Sequence, residues 1–133
     1  MTNILQIPQI QATFNIARNA DWVDDIIFPV PGTPANPLNI SGIAFFAQVR
    51  PAEEDPNILL DLSTLNGGLV NGGDTGQLSW HVSHAAMLAV PLIAVLNTAV
   101  MDILAVADGY RINLCQESGP AQIVIHHGVT LIP

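Results

Sequence analysis

The chain has 133 residues, half of them apolar, and it carries eleven acidic residues against three arginines and no lysine. This length can bury one core, so we expect residues 1–133 to form a single domain. The formal charge of −8 excludes nucleic acid and anionic membrane surfaces as partners, because phosphates and lipid headgroups would find no basic cluster to contact.

The first part of the chain predicts strands from its alternating apolar residues. Residues 10–18, IQATFNIAR, place apolar side chains on every second position, and residues 23–28 follow as a shorter strand. The next segment, PVPGTPANP at 29–37, has four prolines in nine residues and is predicted to be a loop. Proline cannot donate to a strand ladder, which is the reason for that prediction.

Three further strands are predicted before residue 84. They cover residues 42–50, 57–64 and 77–83. Between the last two, NGGLVNGGDTG at 66–76 is dense in glycine and asparagine and predicts paired turns around a very short strand. The absence of lysine argues against a phosphate-binding loop there, because such loops end in Gly-Lys-Ser/Thr.

The periodicity changes at Ser83, which is a candidate N-cap for a short helix ending before Pro91. One or two short helices are therefore predicted within 84–107. The second could begin near Asn97, since apolar residues then recur at helical spacing, but a strand through 99–106 also fits the pattern.

The apolar stretch at 85–107 is long enough for a membrane span. Pro91, Asn97, Thr98 and Asp102 interrupt it, and an aspartate at mid-membrane costs roughly 2.5–3.5 kcal/mol. The expectation is a buried segment of a protein that does not enter the membrane.

Strands are predicted again at 110–116, 121–127 and 129–133, with a turn at Glu117-Ser118-Gly119-Pro120. The whole pattern predicts a mainly β fold, a small antiparallel β-sandwich that is either immunoglobulin-like or a partly open barrel.

The residues that could carry chemistry favour structural explanations. His81 and His84 form an H-x-x-H pair and His126-His127 a second pair, yet neighbours on a strand point to opposite faces, so surface histidines are expected rather than zinc or copper ligands. Cys115 has no partner for an internal disulfide and is expected to be a small buried apolar residue. No catalytic residue, metal site or cofactor is predicted.

Several short motifs, in order along residues 10–132, resemble one known family. They are Arg18 to Trp22 after the first strand, Ile40-Ser41-Gly42 leading to Arg50, GYRINL at 109–114 and GVTLI at 128–132. This pattern resembles the N-terminal β-sandwich domain of bacteriophage baseplate upper proteins and related phage or prophage tail proteins. Asn19 stands where that family usually has glycine, and residues 84–108 replace a brief turn.

The resemblance implies a virion structural protein, a tail or baseplate subunit or adaptor that is made in the bacterial cytoplasm and located in the virion. Other phage tail or baseplate proteins are the expected partners, together with further copies of the chain as a homo-oligomer. The apolar Leu92, Ile93 and Leu96 are the expected assembly surface. The alternative function is a carbohydrate- or ligand-binding β-sandwich module, which would need an exposed aromatic platform.

The arginines are expected to be structural. If the strands ending in Arg18 and Arg50 are neighbours, both guanidinium groups can pair with nearby acids such as Asp21 and can stack on Trp22. Such an ion-pair and stacking cluster would hold the two strand ends together.

Overall fold

The computed structural model describes residues 2–90, 97–130 and 132, and the backbone is mainly β, which confirms the predicted fold class. The elements are β1 Thr13–Ala17, β2 Trp22–Ile27, β3 Pro29–Val30, β4 Thr33–Pro37, β5 Ala44–Arg50, β6 Leu60–Ser63, β7 Val70–Asn71, β8 Gln77–Val82, α1 His84–Leu88, β9 Thr98–Ala107, β10 Tyr110–Asn113 and β11 Ala121–His126. Short 3₁₀ turns lie at Ile4–Gln6 and Gly73–Thr75.

The main sheet has the strand order β1-β11-β9-β5-β6, and β10 pairs with the second half of β9 beside β11. Its pairs are antiparallel except β1 with β11, where Phe14 lies opposite Ile123 in a parallel register. The first and last strands of the domain therefore lie side by side, a pairing that local patterns do not predict.

Strand β9 settles the question that the sequence leaves open at 99–106. It pairs with β5 over seven residues on one edge and with β10 and β11 on the other. Ala99, Met101, Ile103 and Ala105 are buried, so the buried set has the period of two that a strand requires. Backbone pairing on both edges decides the structure here, because the almost wholly apolar segment also fits a helical period.

A smaller sheet, in the order β2-β8-β7, covers the inner face of the main sheet. Phe14 of β1 meets Trp22 and Trp80 of the small sheet edge-on, with ring centroids 5.9 and 5.6 Å apart. Phe28 stacks on Phe45 at 6.1 Å. These rings lie between the two sheets. Each ring pair stabilises the fold by about 0.5–1.5 kcal/mol beyond the effect of the apolar area that it buries.

The chain before β1 closes the open side of the core beside β10. Ile4 and Ile7 are buried there, and the backbone N–H of Ile10 donates to the carbonyl of Leu114. The Gln9 side chain donates to the carbonyl of Asn113 and accepts from the N–H of Glu117. The predicted strand at 10–18 accordingly begins only at Thr13, because the residues before it bind a different part of the chain.

The prediction of a loop at 29–37 is wrong, because β3 and β4 form a two-stranded hairpin in which Pro29 lies opposite Pro37. The turn between them uses Gly32 at φ +83°, a conformation that favours glycine. A two-stranded ribbon needs donors on only one edge of each strand. Proline can therefore occupy the positions whose N–H would face outwards.

Other predicted strands are shorter than expected. The strand at 57–64 covers only Leu60–Ser63, and the one at 110–116 ends at Asn113. The Asn113 side chain accepts a hydrogen bond from the N–H of Cys115, a local turn that competes with the ladder and ends the strand. A further strand is predicted at 129–133, but residues 129, 130 and 132, which the structure describes, are not in a strand.

Helix α1 confirms the predicted cap. The Ser83 hydroxyl accepts from the N–H of Ala86 at 3.2 Å, and the helix ends at Leu88. A second helix at 98–107 is excluded by β9, while residues 91–96 lie outside the described part of the chain. Within the described part, no helix has the length and apolar character needed to cross a bilayer.

Candidate functional sites

The outer face of the main sheet is a concave surface along β5 and β9. Alternate residues of the two strands point outwards and lie opposite each other, Phe46 with Leu104 and Gln48 with Asp102. All four are only partly exposed, and residues from the loops after β5 and after β10 line the same hollow. The loops thus convert a flat sheet face into a trough.

The trough consists of two hollows that share Gln48 and Asp102, and we call it the outer trough. The first has a volume of about 370 Å³. The second, of about 290 Å³, continues towards Arg111. The principal lining residues are Phe46, Gln48, Arg50, Glu53, Asp61, Val100, Asp102, Leu104, Val106, Arg111, Asn113 and Cys115.

Asn113 organises one wall of the outer trough. Its side-chain N–H donates to Oδ2 of Asp102 at 2.9 Å, and its side-chain oxygen accepts from the N–H of Cys115 at 2.8 Å. Cys115 is buried, as the sequence predicts, and burial raises the pKa of its thiol. A neutral buried thiol is a poor nucleophile, so Cys115 contributes packing here.

Arg50 closes the outer trough at the end of β5. Its guanidinium donates to the backbone carbonyl of Asp55 at 2.9 Å and to the side-chain oxygen of Gln48 at 2.7 Å. These two bonds hold the loop after β5 against the strand. The prediction that Arg50 pairs with a carboxylate is wrong, because both acceptors are carbonyl oxygens, one of the backbone and one of a side-chain amide.

The structure separates the predicted cluster of Arg18, Asp21, Trp22 and Arg50. The expectation that β1 and β5 are neighbours is wrong, since β11 and β9 lie between them. Arg18 instead donates to the carbonyls of Leu88 and Val90, at 3.0 to 3.1 Å, and so holds the segment after α1 against the end of β1. In residues 2–90, 97–130 and 132, neither arginine has a carboxylate within 4.0 Å.

Trp22 is part of the core and not a stacking platform. It is 3% exposed, Trp80 is 2% exposed, and the two rings meet edge-on at 5.6 Å. The Trp22 indole N–H donates to the Asp24 carboxylate at 3.2 Å. Neither tryptophan is therefore available as the exposed aromatic platform that the alternative carbohydrate-binding function would need, whereas Tyr110 is 49% exposed.

Asp21 forms an exposed cluster with the histidines of the H-x-x-H pair. Its Oδ2 lies 2.7 Å from Nε2 of His81, and its Oδ1 lies 2.8 Å from Nδ1 of His84 and accepts from the backbone N–H of His84 at 2.6 Å. Sequence reasoning missed this contact because the pairing of β2 with β8 creates it. Across the described residues, no group of three His, Cys, Asp or Glu side chains is arranged to hold a metal ion.

The Asp21 cluster predicts a specific pH dependence. Hydrogen bonds from His81 and then His84 lower the pKa of Asp21 from 3.8 to about 2. A lowered pKa means that this contribution to stability is complete above the ordinary pKa and is lost as the pH falls through the folded value. Between pH 4 and pH 2, the free energy of unfolding should fall more steeply in the wild type than in Asp21→Asn. Equal slopes, or an Asp21 carboxyl that titrates near 3.8 by NMR, would contradict the cluster.

The Arg50 contacts predict a loss of stability on truncation. Arg50→Ala should lower the free energy of unfolding by about 1–3 kcal/mol, because a half-buried carbonyl and a side-chain oxygen lose a charged donor. Arg111→Ala is the matched control. Arg111 is exposed and lines the same trough, but its guanidinium makes no hydrogen bond to a described residue, so the loss of this side chain should change stability little. Urea denaturation of both variants measures the difference, and equal midpoints would refute the role of Arg50.

The outer face of the small sheet is the second notable surface. Val23 and Ile27 of β2 and Val70 of β7 point outwards and are 67%, 61% and 56% exposed. On β8, His81 lies opposite Val23, Gln77 lies opposite Ile27, and Ser79 lies next to Val70. Gln77 donates to the carboxylate of Asp25 at 2.6 Å. We call Val23, Asp25, Ile27, Val70, Gln77, Ser79 and His81 the small-sheet face.

No protein-family model matches the chain, and no curated protein matches it.

The predicted assembly residues Leu92, Ile93 and Leu96 lie outside the described residues. The candidate sites are therefore the outer trough, the Asp21 cluster and the small-sheet face.

Proposed function

We propose that the protein is a structural subunit or adaptor of a phage or prophage tail, located in the virion, which acts by assembling with copies of itself and with other tail proteins. The short motifs at 18–22, 40–50, 109–114 and 128–132 support the proposal through their resemblance to tail proteins. The observation that carries it is the small-sheet face, where three large aliphatic side chains are more than half exposed on one side of a three-stranded sheet.

The small-sheet face suits a second copy of the chain. Docking of identical subunits must tolerate a formal charge of −8 on each. The acids nearest to this face are already bound, Asp25 by Gln77 and Asp21 by two histidines. Contact between two copies here would bury Val23, Ile27 and Val70 while each of the two carboxylates keeps at least one hydrogen-bond partner.

The edge of the same sheet disfavours uncontrolled strand addition. Within the described residues, β2 pairs only with β8 and so forms an edge of the small sheet. It carries Asp24 and Asp25 in succession, and charged residues on an edge strand oppose open-ended pairing. Association through the face of the sheet can instead close into a ring or dimer.

The proposal is tested by the mass of the protein in solution. Sedimentation velocity over a range of concentrations should show a defined oligomer for the wild type, and a variant with Val23→Ser, Ile27→Ser and Val70→Ser should be monomeric. Leu65→Ser is the control, since Leu65 is even more exposed, at 78%, but lies in the loop between β6 and β7.

One outcome would contradict assembly as the function, and another would contradict only the small-sheet face as the interface. A wild type that is monomeric at every concentration, and that does not bind tail proteins, would defeat assembly as the function. An oligomer that survives the triple substitution would keep assembly but place the interface elsewhere, with Leu92, Ile93 and Leu96 as the next residues to substitute.

A further inference from the structure

We propose that the outer trough is a binding site for a neutral saccharide. It lies on the main sheet, whereas the proposed assembly surface is on the small sheet, so this site does not depend on the proposed function. The first hollow, at about 370 Å³, is within the range of small-ligand sites, and the second hollow extends it along β9.

The outer trough holds polar groups with unused hydrogen-bonding capacity. Oδ2 of Asp102 accepts from Asn113, while Oδ1 has no partner among the described residues. Gln48 accepts from Arg50 through its side-chain oxygen, and its amide N–H groups make no hydrogen bond to any described residue. Arg50 uses two of its five donors on Asp55 and Gln48, which leaves others for a ligand.

The combination of charges favours a ligand without net charge. Arg50 and Asp102 line the same hollow with Glu53, so an anion would face two carboxylates and a cation would face a guanidinium. A hydroxyl group both donates and accepts, and two vicinal hydroxyls can serve a carboxylate and a guanidinium together. A polyhydroxylated molecule therefore satisfies groups that a singly charged ligand would leave unpaired.

The floor of the outer trough provides the apolar part of the contact. Val100 lies beneath the first hollow, and Phe46 and Leu104 lie side by side beneath the second. A pyranose ring has an apolar C–H face, which gains free energy when aliphatic and aromatic carbon covers it. This site uses a polar trough with one ring, Phe46, and does not require the buried tryptophans.

The polar residues of the outer trough belong to paired strands, which fix their backbone positions. Gln48, Arg50 and Asp102 belong to β5 and β9, whose paired registers lie inside the main sheet. Asn113 ends β10 and is held by Asp102, Cys115 and Gln9. Groups fixed in this way lose little conformational entropy when a ligand binds, which is the condition for selective recognition of a small molecule.

The test is an NMR titration of the folded protein with defined probes. The neutral probes are glucose, galactose, mannose, N-acetylglucosamine and the disaccharides maltose, cellobiose and lactose, with glycine as a zwitterionic comparison. At least one saccharide should cause saturable shifts in the backbone amides of Gln48, Asp102 and Asn113, and glycine should not.

Matched variants separate this site from other binding. Asp102→Asn should weaken the binding of the responsive saccharide about tenfold or more, because the carboxylate acceptor is lost while Asn113 keeps an oxygen to which it can donate. Asp74→Asn makes the same change at an exposed position in a turn and should bind as the wild type does. If Asp102→Asn does not fold, Gln48→Ala tests the same hollow.

Three results would overturn the proposal. They are no saturable shift at the trough amides with any of the seven saccharides, binding that Asp102→Asn and Gln48→Ala leave unchanged, and a response at these amides to glycine alone. The oligomeric state, measured separately, decides the assembly proposal, so either proposal can fail without the other.

Discussion

Phe14→Ala should lower the free energy of unfolding by about 3–5 kcal/mol, the largest loss that we expect from a single truncation. Phe14 is the side chain of β1 that contacts both tryptophans of the small sheet. Its removal takes away two edge-on ring contacts and leaves a cavity where the sheets meet. Chemical denaturation followed by tryptophan fluorescence measures the effect directly, because the probes line that cavity.

The neighbouring residue supplies the control. Asn15 belongs to the same strand but points to the exposed face, so Asn15→Ala should change stability by less than about 0.5 kcal/mol. Similar effects at the two positions would mean that β1 does not place Phe14 between the sheets. The two-sheet core would then be incorrect.

Met101→Ala should cost about 2–5 kcal/mol, because Met101 is fully buried on the inner face of β9. This variant distinguishes the strand from the helix that the sequence also allows. In the helical alternative the apolar stripe consists of Val100, Ile103, Leu104 and Ala107, and Met101 lies beside it. A small effect at Met101 would favour the helix.

Leu104→Ala is the comparison for Met101. Leu104 lies on the outer face of β9, in the outer trough, and remains partly exposed. Its truncation should therefore cost clearly less than that of Met101, on the order of 1 kcal/mol, since less apolar area returns to water. A loss at Leu104 equal to or larger than that at Met101 would contradict the observed register.

Local patterns predict the strands whose two faces differ in polarity. Phe14 and Ile16 alternate with polar residues in β1, and Leu78, Trp80 and Val82 do the same in β8. A strand of this kind covers the core on one side and faces solvent on the other, so apolar and polar residues alternate along its sequence. The fold class followed from these strands.

The central strand could not be predicted in the same way. The inner residues of β9 are buried in the core, and the outer residues Val100, Leu104 and Val106 are also apolar although they stay partly exposed, so the sequence is apolar nearly throughout. A pattern without contrast fits a helix and a strand equally well. The decision comes from backbone pairing on both of its edges, with β10 and β11 on one edge and on the other with β5, which lies far earlier in the chain.

At the candidate sites, too, the sequence indicated some of the residues but not the contacts that they make. Sequence reasoning identified Arg50 and the pair His81 and His84 as notable residues, but it could not assign their partners. Asp21 reaches both histidines because β2 pairs with β8, and Asp102 meets Asn113 because β10 folds back on β9. Arg18 and Arg50 donate to backbone carbonyl oxygens, and because every residue has one, no residue type indicates such a partner.

The composition of purified particles tests most directly the proposal that this chain is a structural component of a phage tail. Particles would be induced from the bacterium that carries the gene, purified by density gradient and analysed by quantitative mass spectrometry. We expect peptides of this chain to band with the particles in a fixed ratio to other tail proteins, and we expect this ratio to persist after a high-salt wash. Recovery of the chain only in the soluble fraction, from particles that are otherwise complete, would contradict it.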